Sequence, residues 1–190
     1  MASMNLRIEC KVILITEGSQ GIGAAIARAC MNEGAIPVVV DRPDNCFEVI
    51  QESAKAFGQI DALVNHFPVN DKGEPGSAVD SLTQRLSSYY ALAHHSLPYL
   101  KRSKGTITNI ASTTVAKGAI FESSCAHGAI QALTREWAAE LLPYGIRVNS
   151  ILPAESAAPE EIAATTLFLI SPESAHTTGQ HLNVKAPALF

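Results

Sequence analysis

The stretch "KVILITEGSQGIG", Lys11 to Gly23, decides the fold. Its first half is a short apolar, β-branched run, the composition of a strand buried on both faces. Its second half is a glycine loop, beyond which Ile22, Ala25, Ile26, Ala29 and Cys30 recur at helical spacing up to Gly34. A strand that turns through glycines into a helix is the context that gives a glycine motif weight. Gly21 and Gly23 would let backbone amides and the helix amino end meet a pyrophosphate. Asp41 ends the next apolar run, "AIPVVVD", and 41 − 21 = 20 is about the offset of a ribose-binding carboxylate. The alternative is that these glycines only permit tight strand–helix packing. Against a dinucleotide stands Glu17, a carboxylate dropped into the loop where phosphates would lie.

Outward from this stretch, strands and helices alternate. "AIPVVVD" reads as a second buried strand with Pro37 near its start, where a proline is tolerated. Phe47, Ile50, Ala54 and Phe57 mark a helix stopped by Gly58. "DALVN" is a strand and "NDKGEPGS" a loop. A long helix is expected from about Ser81 to Lys101, with Pro98 kinking or ending it. "GTITNIAS" is a strand, a second long helix covers about Ser123 to Leu142, and "IRVNSILPA" is another strand. "PEEIAATTLFLI" is a helix opened by Pro159, and "HLNV" a last strand. Strands apolar throughout and separated by helices imply a doubly wound α/β architecture, a parallel sheet covered on both faces. The 190 residues are expected to form a single domain.

Composition narrows the function. Hydrophobic residues make up 47% and charged ones 17%, which argues against disorder. With a net charge of −4 and no basic stripe, neither nucleic acid nor an anionic membrane surface is an expected partner. Cys10, Cys30, Cys46 and Cys125 form no CxxC pair and no Cys/His metal spacing, so reduced thiols in a cytoplasm are expected. No apolar run reaches transmembrane length. His94 and His95 are adjacent on a helix and make a poor metal pair, so no metal site is expected. No "GxSxG" elbow is present to support a Ser–His hydrolase. Leu133, Trp137 and Leu141 form an apolar stripe that suits a core or a subunit interface.

The pieces "TEGSQGIG", "DALVN", "NIAS", "ALTREWAAELLPYGIRVNSILPAE" and "HTTG", in this order, resemble the short-chain dehydrogenase/reductase family across nearly the whole chain. "YYALAH", "LTREWAAEL" and "LPAE" are similar to the branch containing L-fucose and related sugar dehydrogenases. The resemblance implies a Rossmann-like sheet and an NAD or NADP site formed by Gly18, Gly21, Gly23, Asp41 and Asn65. Asp41 would favour NAD, with Arg42 leaving room for NADP. It also implies a homodimer or tetramer built through the helices near 81–101 and 123–142.

Several departures accompany the resemblance. The family has glycine at the position of Glu17. From Asp41 to Asp61 there are only 61 − 41 = 20 steps, room for one helix, where the family places helix, strand and helix. The usual third strand is therefore missing, leaving six strands with "IPVVVD" at the sheet edge. The family's "NNAG" reads "NHFP" here: Asn65 survives, while Phe67 and Pro68 replace small residues. The long substrate loop between Glu155 and Pro159 is absent. Ser112 matches the family's catalytic serine, but Ser123 stands at the tyrosine position, His127 at the lysine and Arg85 at the asparagine. Loss of general acid–base help costs about 10²- to 10⁴-fold in rate.

Ser123 and His127 are spaced i, i+4 and share one helix face. With Ser112, and with Tyr89 or Tyr90 supplying a phenol, they form the candidate catalytic set; Arg85 and Glu155 are candidate substrate contacts. The bland alternative makes Ser123 a helix-start residue and His127 an interface histidine. Cys125 is expected to be buried and inert. The leading expectation is a repurposed relative doing nicotinamide-independent proton transfer, such as isomerisation or elimination, on a small molecule. The alternatives are a non-catalytic oligomerisation partner or scaffold, and a residual NAD(P)-dependent sugar or alcohol dehydrogenase.

Overall fold

The computed structural model describes residues 6–41, 46–66, 77–111, 122–154 and 156–185; at 46, 77–82, 84, 85 and 122–127 it describes the backbone. Six strands, β1 (Val12–Thr16), β2 (Ile36–Val40), β3 (Ala62–His66), β4 (Thr106–Ile110), β5 (Arg147–Pro153) and β6 (His181–Val184), form one parallel sheet in the order β2-β1-β3-β4-β5-β6. The helices between them are α1 (Gly21–Asn32), α2 (Cys46–Phe57), α3 (Ser77–Ser103), α4 (Glu122–Leu141) and α5 (Pro159–Ile170). This is the shortened Rossmann-like α/β sheet, and its strands are apolar on both faces for a visible reason. Ile13 and Ile15 join Ala25, Ile26 and Leu167 in one core, under α1 and α5. Leu14 between them points the other way and joins Leu63, Leu92, Ile107 and Trp137 under α3 and α4.

With no strand beyond it among the described residues, β2 is the sheet edge and is half-buried rather than buried; its Val39 is 38% exposed. The amide of Ile36 donates to Lys11 O at 2.8 Å, and Val40 O accepts from Glu17 N at 3.1 Å. In a parallel strand a residue's N–H and C=O point to the same side. Residues 36, 38 and 40 therefore face β1, while Pro37 and Val39 face outward. The missing N–H of Pro37 lies on the open edge, where it removes a donor that a foreign strand would use.

Pro98 does not end its helix: α3 runs on to Ser103. The proline removes one helical hydrogen bond, but Leu92, Ala93 and Leu100 around it are buried in the core and hold the segment in place. The helix also begins at Ser77, inside the stretch expected to be loop. No helix among the described residues is long and apolar enough to cross a membrane.

Candidate functional site

The chain leaves β1 through α1 to reach β2, and then returns through α2 to β3 on the other flank of β1. This reversal opens a crevice at the carboxyl ends of β1 and β3, where doubly wound sheets bind ligands. The two strand ends are clamped together. Thr16 Oγ1 donates to His66 O at 2.7 Å and accepts from His66 N at 2.6 Å. A threonine at the end of β1 thus replaces the next ladder bonds and fixes the width of the crevice floor.

Above this floor the glycine loop turns into α1. Gly21 has φ +55, and a Cβ built on it would meet nothing within 4 Å among the described residues, so the start of α1 turns on a glycine that carries no packing contact there. Gly23 is required for a different reason: its Cβ would fall 2.1 Å from the carbonyl oxygen of Glu17. Gly18, a sequence candidate for cofactor contact, packs the loop against β2, since its Cβ would lie 2.6 Å from Val39 Cγ2. Asp41 Oδ1 accepts from the Ser19 amide at 3.3 Å, which ties the end of β2 to the loop.

Glu17 adopts φ +51, a conformation that favours glycine. Its amide still bonds to Val40 O, as a glycine's would, so the turn survives the substitution. That bond also sets Glu17 beside Asp41. Partial burial, and then the Asp41 carboxylate, raise the Glu17 carboxyl above the usual carboxylate range.

Behind the crevice, β3 and β4 are in register at Asn65 and Asn109. Thr134 Oγ1 donates to Ile130 O at 2.7 Å and accepts from Asn109 Nδ2 at 3.0 Å. Asn109 Oδ1 then accepts from Asn65 Nδ2 at 3.1 Å. The direction of every bond follows from the first, and the chain ends on Asn65 Oδ1, a buried acceptor with no partner among the described residues. Asn65 therefore locks β3 and β4 to α4. Next to it, His66 is buried and pushed down by burial to about 4, so it is a neutral imidazole at physiological pH. Tyr89 is 1% exposed and donates to Ile110 O at 2.7 Å. Its place is under the end of β4, as a strut for the strand that leads to Ser112.

Of the remaining candidates, Ser112 and Glu155 lie outside the described residues. Ser123 and His127 are on α4 and Arg85 is on α3, each described as backbone, with Ser123 and His127 one turn apart on one face. Among the described residues, no three His, Cys, Asp or Glu side chains gather as a metal-binding group.

Sequence reasoning missed two pieces of this arrangement. The Asn65–Asn109–Thr134 chain joins residues far apart in sequence, and only strand register brings them level. The second piece is a Ser–His pair, Ser150 Oγ and His181 Nδ1, 2.7 Å apart. Arg135 Nη1 donates to His181 Nε2 at 3.1 Å. Because arginine only donates, Nδ1 carries the proton and donates to Ser150. The ring therefore cannot act as a base toward that serine, and burial, followed by Arg135, lowers its pKa.

Residues 36–155 match a family model described as enoyl-(acyl carrier protein) reductase. The chain is 31% identical to the L-fucose dehydrogenase of Bos taurus over 86% of its own length and 73% of the relative's. It is 33% identical to the L-fucose dehydrogenase of Rattus norvegicus over 84% and 72%. The crystal structure of Cj0485 dehydrogenase superposes with a TM-score of 0.84 at 29% identity, covering 95% of this chain and 94% of the other. These relatives are named as dehydrogenases and reductases, and that overturns the expectation of nicotinamide-independent isomerase- or lyase-type chemistry. The physical reason is in the loop: Glu17 keeps the backbone bond of the glycine it replaces, Gly23 keeps the close packing on Glu17 O, and Gly21 keeps the positive φ at the helix start. In strand order, motif order and relatives alike, the chain belongs to the short-chain dehydrogenase/reductase family.

Proposed function

We propose that this protein is an NAD(P)-dependent oxidoreductase that interconverts a hydroxyl and a carbonyl on a small sugar or polyol. The observation that carries the reading is the glycine loop at the start of α1, where a Gly21 Cβ would meet nothing within 4 Å among the described residues, with Asp41 tied to the same loop through the Ser19 amide. A pyrophosphate suits the first feature and a ribose diol the second. The sugar class comes from the relatives named L-fucose dehydrogenase. Asp41 repels a 2′-phosphate and favours NAD over NADP; Glu17 beside it adds to that preference and weakens both.

When bound, the nicotinamide supplies hydride exchange with the substrate carbon. The chain's own residues do the rest. The start of α1 holds the pyrophosphate, Asp41 accepts from the adenosine ribose, and the Thr16 clamp and the Asn65–Asn109 lock keep the strand ends rigid beneath. In this reading Ser112 and Ser123 hold the reacting oxygen by hydrogen bonds. His127 exchanges that oxygen's proton in place of the family's tyrosine–lysine pair, which an imidazole can do near neutral pH. Arg85 and Glu155 contact the substrate. We further propose a homodimer or tetramer through α3 and α4, a reading supported by Tyr90 standing 56% exposed beside Trp137 on that face.

The test is titration with NADH and NADPH, followed by assay of L-fucose and related sugars with NAD as the oxidant. Micromolar NADH binding and sugar-dependent cofactor reduction are expected. A His127→Ala variant should keep NADH affinity and lose about 10²- to 10⁴-fold in kcat. Absence of binding by either reduced cofactor at millimolar concentration would overturn the proposal.

A further inference from the structure

At the end of the sheet opposite the crevice, the amino ends of β1, β3, β4 and β5 border a cavity of about 410 Å³. That is within the range of small-molecule sites. Strands of five residues set it about 17 Å from the crevice floor. Its floor is the buried edge of the core at Ile8, Ile13, Ala62 and Ile170, and its exposed apolar wall is Leu142, Pro172 and Ala175. Around this wall stand four cations, Arg7, Lys11, Lys104 and Arg147, and one carboxylate, Asp61.

The charges do not cancel. Lys11 Nζ is 2.9 Å from Asp61 Oδ1, and Arg7 Nη2 is 2.8 Å from Glu173 Oε1. Lys104 and Arg147 have no carboxylate partner among the described residues. Arg147 donates instead to the carbonyls of Leu169, Ser171 and Thr177, at the end of α5 and just past it. Those bonds fix the guanidinium without neutralising it.

Two further observations mark the same place. Thr106, 6% exposed, lines the cavity, and its Oγ1 has no partner among the described residues. Arg7 and Lys104 hold φ values of 53 and 50, which L-residues avoid. Outside the glycine loop, two of the three such non-glycine residues among the described ones line this cavity, the third being Cys10, and strained backbone concentrates at binding sites. The stem of Lys104 lies against Gly145, whose absent Cβ would sit 3.4 Å from it.

We propose that this cavity binds a small organic monocarboxylate of medium chain length, its carboxylate toward Lys104 and Arg147 and its chain against Leu142 and Pro172. The apolar wall gives an inorganic anion nothing to use. Asp61 in the wall disfavours polyanions such as nucleotide phosphates. A neutral chain would leave Lys104 and Arg147 without a counter-ion.

The test is calorimetric titration of the full chain with octanoate, octanamide and inorganic phosphate. The proteins are wild type, Lys104→Gly and Ala175→Trp. Glycine suits the positive φ at 104, so that variant keeps its fold while losing the charge. Ala175 is an exposed residue of the cavity rim, and tryptophan there fills the space without entering the core. Saturable octanoate binding is expected in wild type, weakened about tenfold or more in both variants and for octanamide, with no heat from phosphate. NADH titration, which reports the crevice, should be the same in all three proteins. The proposal is overturned if wild type shows no saturable octanoate binding at millimolar concentration. It is equally overturned if Lys104→Gly or Ala175→Trp binds octanoate as wild type does, or if octanamide or phosphate binds as well as octanoate.

Discussion

Glu17→Gly should tighten dinucleotide binding, by an amount that follows from the charge removed and its partial burial. The Glu17 amide bonds to Val40 O, which places its side chain next to Asp41 at the start of the phosphate loop. Two charges about 5 Å apart repel by about 0.8 kcal/mol in water and about 3 kcal/mol at an effective dielectric near 20. These correspond to about fourfold and a few hundredfold in affinity. Glu17 is only part-buried, so the lower end applies, and a gain of about four- to twentyfold is expected. Stability should change little, because relief of the positive φ is offset by the greater chain entropy of glycine.

The assay is calorimetric titration with NADH for wild type, Glu17→Gly and Glu17→Gln at low and high salt. Glu17→Gln keeps the side chain and removes the charge, so it should recover most of the gain, and high salt should shrink it. The pH dependence has a definite sign. Since burial and then Asp41 raise the Glu17 carboxyl, acidification neutralises it earlier than an ordinary carboxyl, and affinity should rise more in wild type than in Glu17→Gln. Affinities within twofold of wild type in both variants would refute the electrostatic argument. So would a gain in the glycine variant alone.

Gly23→Ala would drive a Cβ to 2.1 Å from Glu17 O; a loss of about 3 kcal/mol of stability, read by urea unfolding, and loss of NADH binding are expected. His66 has a folded-state pKa of about 4 against the ordinary 6.5, so stability is complete above pH 6.5 and falls as pH drops toward 4. The slope amounts to roughly 3 kcal/mol over that window and should vanish in His66→Asn, as unfolding followed against pH would show. Thr134→Val strips Asn109 Nδ2 of its acceptor and should cost about 1–3 kcal/mol in the same urea assay, without changing the oligomeric state.

The sequence carries the architecture well because the architecture depends on local patterns. "KVILIT" and "TITNI" are apolar without alternation, and β1 and β4 are covered on both faces. The short span from Asp41 to Asp61 excludes the usual third strand, and β2 is indeed the edge. Pro98 reads as a kink or an end, and it is not the end, because helix interruption is a local cost whereas the burial of Leu92 and Leu100 that outweighs it is tertiary. The site was less legible. Glu17 reads as a loss when positions are compared one at a time, yet the turn depends on a backbone bond to Val40 that a glutamate also makes. The Thr16 clamp and the Asn65–Asn109 lock depend on which strands become neighbours, and His66 titrates abnormally only because β3 is central. The cavity at the amino ends gathers Arg7, Lys104 and Arg147 from three distant segments, and no spacing in the chain brings them together.

The central claim is that the glycine loop at the start of α1 still serves a nicotinamide dinucleotide. The most direct measurement is hydride transfer itself: purified protein is incubated with NAD and carbon-deuterated L-fucose, and the nicotinamide is analysed by mass spectrometry. Reduced cofactor carrying one deuterium is expected from wild type and none from Gly21→Asp, which tolerates φ +55 and sets a carboxylate at the start of α1. Unlabelled cofactor throughout, with L-fucose and with a panel of deuterated sugars and polyols, would contradict the claim.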